Sequence, residues 1–372
     1  MKPYCFFIGT SWLDRAVDNH FKALGHELVE RGHRIVFLIN GQRVEDEDQQ
    51  GNPAIYTWPS KRPENMEDFT FLRQLIRRYQ PDCLIANFSS VNVMMIVGWL
   101  TGVPVRVTWY HTLTSQIDLD SDLSDRKKQI LRLRKRMVYG LATHLVAVSE
   151  AAAVDLQRVF AVPGQKCSVW PILLSDPAIE NLPAPLRRPN VVACVGRLNR
   201  TKGQDVLIRA LPTLIEQLPQ IEVEFIGEGP ERDRYQALAD ELEVGANCRF
   251  IGLKPHDEVM HHMATSMLVV VPSRIDALGL VNIEALAVGT PVVGSSVGGI
   301  VEVISDQVNG YLVPPDDPID LSEKILELLK NPRKWHQFSQ EARQTFLTHF
   351  ELRNNVIGQA NWYENLVTTA SN

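Results

Sequence analysis

Two carboxylates lie eight positions apart where a predicted strand passes into a predicted helix. The apolar run 267–271 stops at a proline and a helical pattern begins near Val281, which puts Asp276 in the loop and Glu284 inside the helix. The free N–H groups and the positive dipole end of such a helix start bind anionic oxygens, and Gly279 lets the backbone approach a ligand closely. The arrangement therefore suits a phosphorylated ligand with hydroxyls at both ends. An ordinary buried crossover with two solvated acids explains the spacing equally well.

A second loop of the same kind carries two cations. It follows the apolar run 191–195 and holds Arg197 and Lys202 between Gly196 and Gly203. An arginine offers a planar fork and a lysine a point charge, so the two side chains together could hold a diphosphate. Two ordinary surface cations are the plainer interpretation, but the flanking glycines favour a binding site.

Both loops belong to an alternation of apolar runs and helical patterns, which predicts βαβ units and parallel sheets. A chain of 372 residues with the composition of a globular protein holds about two such domains. The predicted strands are 4–8, 34–39, 83–86, 105–109, 145–148 and 168–170, then 191–195, 222–226, 248–251, 268–271, 292–294 and 311–313. A helix is predicted from about Arg15, and later helices at 204–217, 231–242, 320–329, 332–350 and 352–367. A stiff linker between the two series is predicted from its prolines, Pro171, Pro177, Pro183, Pro185 and Pro189.

Composition and charge argue against several classes of protein. A net charge of −6 disfavours non-specific binding of nucleic acid. The cysteines have no paired spacing, which predicts reduced thiols in the cytoplasm rather than disulfides or a zinc site. They are Cys5, Cys83, Cys167, Cys194 and Cys248. The run 4–8 is too short for a signal-peptide core, and the longest apolar run, 91–105, is too short to span a bilayer.

Further short motifs accompany the two loops. Beside Gly196-Arg197-Leu198 with Lys202-Gly203, and the acids at 276 and 284, they are Gly227-Glu228-Gly229-Pro230, Gly289-Thr290-Pro291-Val292-Val293, Gly298-Gly299-Ile300-Val301-Glu302, Asn309-Gly310-Tyr311-Leu312-Val313 and Pro315-Asp316-Asp317. In this order they resemble the retaining family-four glycosyltransferases of the GT-B fold. The likeness covers most of residues 190–317 and is specific, because several unrelated patterns occur in the right sequence. In the first half it is thinner and rests on Arg31-Gly32-His33, His111 and Ala147-Val148-Ser149-Glu150.

The resemblance implies an α/β protein of the GT-B type, with two Rossmann-like parallel-sheet domains that face a cleft. Residues 1–170 would form the N-terminal domain that binds the acceptor. After a linker at 171–189, residues 190–350 would form the domain that binds the nucleotide sugar. The C-terminal helix, 351–372, would cross back and pack on the N-terminal domain.

The resemblance also implies a reaction, the transfer of a hexose from a nucleotide-diphosphate sugar, with UDP as the first choice, to a hydroxyl of a glycan, lipid or small molecule. The anomeric configuration would be retained. Negative charge builds on the leaving diphosphate, and Arg197, Lys202 and the helix start near Leu280 would stabilise it, so no metal or cofactor is expected. Asp276 would accept hydrogen bonds from sugar hydroxyls, and Glu284 from the ribose diol.

Other predicted site residues lie in both halves of the chain. His111 ends a predicted strand, where open α/β sheets bind ligands, and matches the family's histidine near the donor sugar and the reaction centre. We favour that role over a structural one. Gly9 stands alone in the predicted loop after the first strand, where the family usually carries a glycine pair against the donor phosphates. The remaining predicted donor contacts are Gly196, Ala277, Leu278, Gly279, Leu280 and Val281, with Gly252, Leu253 and Lys254 beside the base.

One departure from the family bears on catalysis, because Asp276 stands where the family usually has glutamate. The side chain is shorter by one methylene, about 1.5 Å. Either the loop moves in, another hydroxyl is met, or the site is weak; we expect activity, since aspartate still accepts hydrogen bonds. The shorter acid and the lone Gly9 favour the competing class, a non-catalytic GT-B scaffold or nucleotide-sugar-binding subunit. A nucleotide-sugar epimerase fits the loop of Arg197 and Lys202 less well.

Two acidic triplets, Asp46-Glu47-Asp48 and Asp118-Leu119-Asp120, match the Asp-x-Asp pattern that glycosyltransferases of the other major fold use for manganese. The pattern is short, and both triplets lie in polar segments predicted to be loops. A solvated surface therefore explains them better than a metal site.

The segment Arg126–Arg136 crowds seven cations among apolar residues. The plainer interpretation, which we favour, is a helix with one solvated face. The sharper one is a basic amphipathic surface that contacts anionic lipid head groups on the inner face of the membrane.

Overall fold

The computed structural model describes residues 3–12, 15–40, 51–121, 123–177 and 187–371. The chain divides into two compact units. The first comprises residues 1–111, 123–175 and 352–372, and the second comprises 112–122 and 176–351.

The strands of the described residues form two sheets. They are β1 (Cys5–Ser11), β2 (Arg34–Asn40), β3 (Ala54–Thr57), β4 (Cys83–Ala86), β5 (Val105–Tyr110), β6 (His144–Ala147), β7 (Cys167–Val169), β8 (Val191–Val195), β9 (Glu222–Ile226), β10 (Cys248–Gly252), β11 (Leu268–Val271), β12 (Val292–Ser295) and β13 (Gly310–Val313). The first sheet has the order β3-β2-β1-β4-β5-β6-β7 and the second the order β10-β9-β8-β11-β12-β13. All named strands pair in parallel, which confirms the predicted α/β class with two Rossmann-like sheets.

Helices connect the strands, as parallel pairing requires. They are α1 (Ala16–Glu30), α2 (Met66–Tyr79), α3 (Val91–Leu100), α4 (Thr114–Asp120), α5 (Asp125–Leu141), α6 (Glu150–Phe160), α7 (Gln204–Gln217), α8 (Arg232–Glu241), α9 (His256–Thr265), α10 (Leu280–Ala287), α11 (Ile300–Val303), α12 (Pro318–Leu329), α13 (Pro332–Thr345) and α14 (Leu352–Ser371). A π-helical turn at Phe346–Phe350 follows α13. Within the described ranges, every helix falls short of the length and apolarity that crossing a bilayer needs.

The central strands of each sheet are buried on both faces, which explains their nearly continuous apolar sequence. In β1, Phe6, Phe7 and Ile8 have no exposed surface. In the second unit, α7 lays its buried residues, among them Leu207 and Leu211, at helical spacing against the sheet. The core of each unit therefore fixes the positions of the strand ends, from which the loops leave.

The C-terminal helix α14 packs on the first unit. Glu364 of this helix pairs with Arg31 Nη1 at 2.7 Å and with His33 Nε2 at 2.7 Å. The preceding residue, Tyr363, accepts a 2.7 Å hydrogen bond from Trp109 Nε1 through its hydroxyl. The Arg31-Gly32-His33 motif in the first half of the sequence thus anchors α14.

Several local predictions were wrong. Strand β3 was missed because only four residues pair, with β2 alone. Gly9 was predicted to lie in a loop, but β1 continues to Ser11 because its pairing with β2 runs on to Asn40. Residues 118–120 were predicted to be a loop of the first domain, whereas they end α4, which belongs to the second unit.

The predicted linker at 171–189 is only partly described. Ile172 and Leu173 are buried, and Leu173 N donates to His20 Nδ1 at 3.0 Å within the first unit. At the C-terminal end of the segment, Arg187 Nη1 donates to Thr290 Oγ1 at 2.9 Å within the second unit. Both ends of the segment are therefore fixed to their own unit.

Candidate active site

The two predicted ligand loops meet at the carboxyl edge of the second sheet. They leave β8 and β11, which are neighbours in the sheet although distant in sequence. Lys202 Nζ lies 2.6 Å from Asp276 Oδ2, with the two side chains 23 % and 9 % exposed. The structure thus brings together a cation and a carboxylate to which the sequence analysis gave separate tasks.

Backbone contacts lock the two loops together. Gly203 has φ 65°, and a Cβ at this position would lie 2.0 Å from the carbonyl oxygen of Pro272. Arg274 N donates to Thr201 O at 2.8 Å. The Arg274 guanidinium also binds both carboxylate oxygens of Asp205 at 2.8 Å. Because of these contacts, the position of one loop fixes that of the other.

The carboxylate of Asp276 closes the turn that starts α10. Its Oδ1 accepts from Gly279 N at 3.0 Å, and Ser273 Oγ lies 3.5 Å from its Oδ2. Gly279, at φ 78°, is the residue before the first turn of α10. Asp276, Ala277 and Leu278 are all buried. The aspartate therefore shapes the loop as well as facing Lys202.

Glu284 lies inside α10, with 12 % of its side chain exposed. Burial raises the pKa of this carboxyl to about 7, an effect that the charge of Lys202 partly offsets. His256 Nδ1 lies 3.8 Å from Glu284 Oε1. Near neutral pH, both the protonated and the ionised form of this carboxyl are therefore populated, and a ligand hydroxyl could bind to either.

Arg197 lies on the same edge but is exposed. Its carbonyl oxygen accepts from Gln204 Nε2 at 3.0 Å, which fixes the backbone after Gly196. Throughout the part of the chain that the structure describes, no acceptor bonds to its guanidinium. The backbone of Arg197 is thus fixed, while its guanidinium has no bonded acceptor among the described residues.

The predicted base-binding residues lie beside these loops. Gly227 N donates to Gly252 O at 2.9 Å, which places the ends of β9 and β10 side by side. Leu253 is 79 % exposed, and Lys254 pairs with Glu258 at 2.9 Å on the surface. The structure therefore gathers this loop at the same sheet edge, and its role in binding a base stays a prediction.

In the first unit, His111 directly follows β5 at the carboxyl edge. Its Nε2 lies 2.9 Å from Asn87 Oδ1, while Asn87 Nδ2 donates to Gly9 O at 3.0 Å. The Asn87 oxygen must therefore accept, so His111 carries its proton on Nε2. Burial lowers the pKa of His111 to about 3, so the ring is neutral. Phe88 stacks on it with ring centroids 4.5 Å apart.

Some site residues escaped the sequence analysis. Asn87 bridges two predicted residues, His111 and Gly9, and its place at the carboxyl end of β4 was the available signal. Asn199 Oδ1 accepts from Lys202 N at 3.3 Å and caps the turn that presents Lys202. Asparagine before a helical turn is a recognisable cap.

The described residues contain no candidate metal site. Among the described residues, no group of three or more His, Cys, Asp or Glu side chains could hold a metal ion. The triplet Asp46-Glu47-Asp48 lies outside the described residues. Asp120 of the other triplet accepts hydrogen bonds from Asn199 and Thr201, so a purely solvated surface was the wrong explanation for it. Independence from a metal stays a prediction.

Comparison with solved structures supports the fold. Two of them share this fold at an identity that shows the fold alone. Sucrose-phosphate synthase of Thermosynechococcus elongatus has a TM-score of 0.78 and 21 % identity and covers 98 % of this chain and 100 % of its own. HepE of Anabaena, in complex with UDP, has a TM-score of 0.76 and 18 % identity and covers 97 % of this chain and 100 % of its own.

Sequence comparison gives the family. The family described as Glycosyltransferase Family 4 matches residues 17–172, and Glycosyl transferases group 1 matches residues 179–345. An uncharacterised glycosyltransferase of Methanocaldococcus jannaschii is 38 % identical over 341 residues, 84 % of each chain. A D-inositol 3-phosphate glycosyltransferase of Corynebacterium jeikeium is 30 % identical over 255 residues, 63 % of this chain and 61 % of that enzyme's length. The chain therefore belongs to the family-four glycosyltransferases of the GT-B fold, as the motif order predicted.

Proposed function

We propose that this protein transfers a hexose from a nucleotide-diphosphate sugar to a hydroxyl acceptor, with retention at the anomeric carbon and without a metal ion. The observation that carries the proposal is the Lys202–Asp276 pair, 2.6 Å apart beside the N-terminus of α10. A phosphate-binding cation and a hydroxyl-binding carboxylate stand next to each other there, as a sugar attached to a diphosphate requires.

Stabilisation of the leaving diphosphate falls to the cations. The ammonium of Lys202 has three donors, of which one goes to Asp276, so two remain for phosphate oxygens. The exposed guanidinium of Arg197 adds a planar fork, and the first N–H groups of α10 add a positive dipole end. These groups act where charge develops as the sugar departs. No step then requires a metal ion.

The remaining polar groups hold the sugar and the ribose. Asp276 would accept from a sugar hydroxyl with the lone pairs that Gly279 N and Lys202 leave over. Glu284, when ionised, would accept two hydrogen bonds from the ribose diol. In the first unit, the neutral His111 keeps an unprotonated Nδ1, which would accept a hydrogen bond from a ligand hydroxyl.

The nucleotide and the acceptor are proposed from the relatives' names. UDP is the first choice, because HepE of Anabaena was solved with UDP and with UDP-glucose. A mannosyltransferase of Mycolicibacterium smegmatis named as GDP-mannose-dependent is 32 % identical over 170 residues, so GDP-sugars are the second choice. The relative from Corynebacterium jeikeium is named for D-inositol 3-phosphate, and that from Mycolicibacterium smegmatis for phosphatidylinositol monomannoside. These names support a glycan, lipid or small polyol with a free hydroxyl as the acceptor.

A donor-hydrolysis panel tests the proposal. UDP-, GDP- and ADP-sugars are incubated with the protein without acceptor, and the released nucleotide is measured with and without EDTA. We expect slow release from one nucleotide series, unchanged by EDTA and lost in Lys202→Ala. The exposed Lys61 of the first unit gives the matched control, Lys61→Ala, which should keep the wild-type rate. Product anomer analysis by NMR tests retention. Equal rates in wild type and Lys202→Ala would refute the site.

We also propose that α5 contacts a lipid surface on the cytoplasmic side of the membrane. Ile130, Leu133 and Met137 recur at helical spacing on this helix and are 59 %, 59 % and 60 % exposed. Exposed cations flank them, among them Arg126 and Arg134. Apolar side chains held in water beside cations suit an anionic interface, which supports this interpretation over a merely solvated face.

Vesicle sedimentation tests the contact. Phosphatidylglycerol vesicles at low salt should pull down the wild type and phosphatidylcholine vesicles should not. Ile130→Ser combined with Leu133→Ser should abolish sedimentation. Ile319, 67 % exposed on α12, supplies the matched control Ile319→Ser, which should bind like wild type. If the wild type stays in the supernatant even at low salt, the lipid contact is wrong.

A further inference from the structure

Asp120, at the end of α4, binds the turn that presents Lys202. Its Oδ2 accepts from Asn199 Nδ2 at 2.6 Å and from Thr201 Oγ1 at 2.9 Å. Its Oδ1 also lies 3.4 Å from Thr201 N. One carboxylate thus accepts from three donors on two residues of a single turn. The shortest of these hydrogen bonds, from Asn199 Nδ2 at 2.6 Å, has the length of a charge-assisted bond.

The two partners of Asp120 are the residues that fix the site. Asn199 caps the turn through Lys202 N at 3.3 Å, and its carbonyl oxygen accepts from Tyr235 Oη at 2.9 Å. Thr201, 1 % exposed, accepts from Arg274 N at 2.8 Å and so joins the loop of Asp276. The contacts of Asp120 therefore reach Lys202 within two hydrogen bonds, through Asn199. Through Thr201, two hydrogen bonds also reach Arg274, in the loop that carries Asp276.

The charge of Asp120 argues for a geometric purpose. A carboxylate beside a phosphate-binding turn repels an anion, so it weakens the electrostatic attraction of that site. Its benefit must come from the hydrogen bonds that it accepts. The side chain is also exposed, so water could have solvated it had the turn not offered three donors.

We propose that Asp120 is a positioning residue of the diphosphate site, which holds the 199–202 turn so that the Lys202 ammonium faces the leaving group. This rests on the proposed function. The acidic triplet at 118–120 is then neither a manganese motif nor a solvated surface. Residues 112–121 directly follow His111 and belong to the second unit. Asp120, from the first sequence series, thus contacts a site built by the second.

Steady-state kinetics of four variants test the proposal. Asp120→Ala and Thr201→Val should each lower kcat/KM for the donor about 10- to 100-fold, the factor expected for a lost hydrogen bond to a charged group. KM for the acceptor should not change. Thr201→Ser keeps the hydroxyl and should retain most of the wild-type rate. Asp125→Asn, which removes an exposed acid at the start of α5, is the matched control and should behave like wild type.

Non-additivity separates positioning from general destabilisation. If the carboxylate acts through Thr201, the double variant Asp120→Ala with Thr201→Val should lose no more than the worse single variant. Multiplying losses would overturn the proposal. Melting curves show whether each variant is folded at the assay temperature. Should Asp120→Ala be unfolded there, the comparison of Thr201→Val with Thr201→Ser carries the test.

Two outcomes keep this proposal distinct from the function on which it rests. If Lys202→Ala turns over like wild type, the proposed site itself fails, whatever Asp120 does. If Lys202→Ala is inactive but Asp120→Ala keeps the wild-type donor kcat/KM, only the positioning role of Asp120 is overturned. Manganese titration gives a third arm, since activation by the metal that Asp120→Ala abolishes would assign the triplet to a cation instead.

Discussion

Replacing Glu284 by glutamine should stabilise the protein at alkaline pH and leave it unchanged at acid pH. The carboxyl is nearly buried in α10, and its pKa is raised from 4.5 to about 7 because burial disfavours the charged form. A displacement of that size corresponds to about 3 kcal/mol of free energy between the two protonation states. Glutamine has almost the same shape and never ionises, so it avoids this cost.

The direction follows from proton linkage. Below pH 4.5 the carboxyl is protonated in the folded and unfolded chains alike, and it costs nothing. Between pH 4.5 and about 7 the unfolded chain releases the proton while the folded one keeps it, so the free energy of unfolding falls as pH rises. Above about pH 7 the full cost is present, about 3 kcal/mol. The stabilisation by Glu284→Gln should therefore be absent near pH 4 and complete near pH 8.

Melting curves measured from about pH 4 to pH 8 give the assay. For a unit of this size, 3 kcal/mol corresponds to a rise in Tm of about 6–12 °C, so Glu284→Gln should exceed the wild type by about that much at the alkaline end. Glu323 is an exposed acid of α12, and Glu323→Gln should give no pH-dependent difference. A constant Tm difference for Glu284→Gln across the range would refute the reasoning. Nucleotide binding gives a second readout, since wild-type affinity should rise from pH 6 to pH 8 as the diol acceptor ionises, and the variant should lose that dependence.

Three further substitutions probe the loops. Lys202→Ala should lower kcat about 10²–10³-fold in donor hydrolysis, because a charge-stabilising group is lost; a loss confined to KM would contradict this. Asp276→Asn should cut turnover far more than nucleotide affinity by calorimetry, because the amide oxygen can still accept from Gly279 N but no longer carries the charge that faces Lys202; unchanged turnover would remove it from catalysis. Gly203→Ala should destabilise the protein in urea by about 2 kcal/mol or more, since φ 65° disfavours a side chain and its Cβ would strike Pro272 O; wild-type unfolding would contradict the locked loops.

Much of the second unit could be predicted because local patterns and tertiary structure agree there. Helix α7 has the predicted bounds, 204–217, since its apolar residues recur at helical spacing and a left-handed Gly203 precedes them. Helix α4 could not be predicted in the same way. Its seven residues are mostly polar and are stabilised by contacts with the 199–202 turn of the second unit. Polar composition predicts a loop wherever distant partners are unknown.

The site shows the same division. Sequence places Lys202 and Asp276 each after a strand, and parallel sheets gather such ends at one edge. The order of strands within the sheet decides which ends are neighbours, and β8 beside β11 is a tertiary fact. Burial, which is also a tertiary property, raises the pKa of Glu284. It likewise lowers the pKa of His111 and keeps that ring neutral. Residue types and spacing therefore predicted side chains that the structure gathers at one sheet edge, and packing determined their partners and charges.

The aspartate at 276 is better explained by this packing than by a loss of function. An aspartate side chain can accept from a backbone N–H a few residues further on, as Oδ1 does from Gly279 N, and so close a turn. A glutamate carries its oxygens one methylene further out, where the same closure and the contact with Lys202 could not both be kept without moving the backbone. That backbone is fixed by Gly203 against Pro272 and by Arg274 on Thr201. Within these locked loops the shorter acid is the one that fits, which favours an active site over a scaffold.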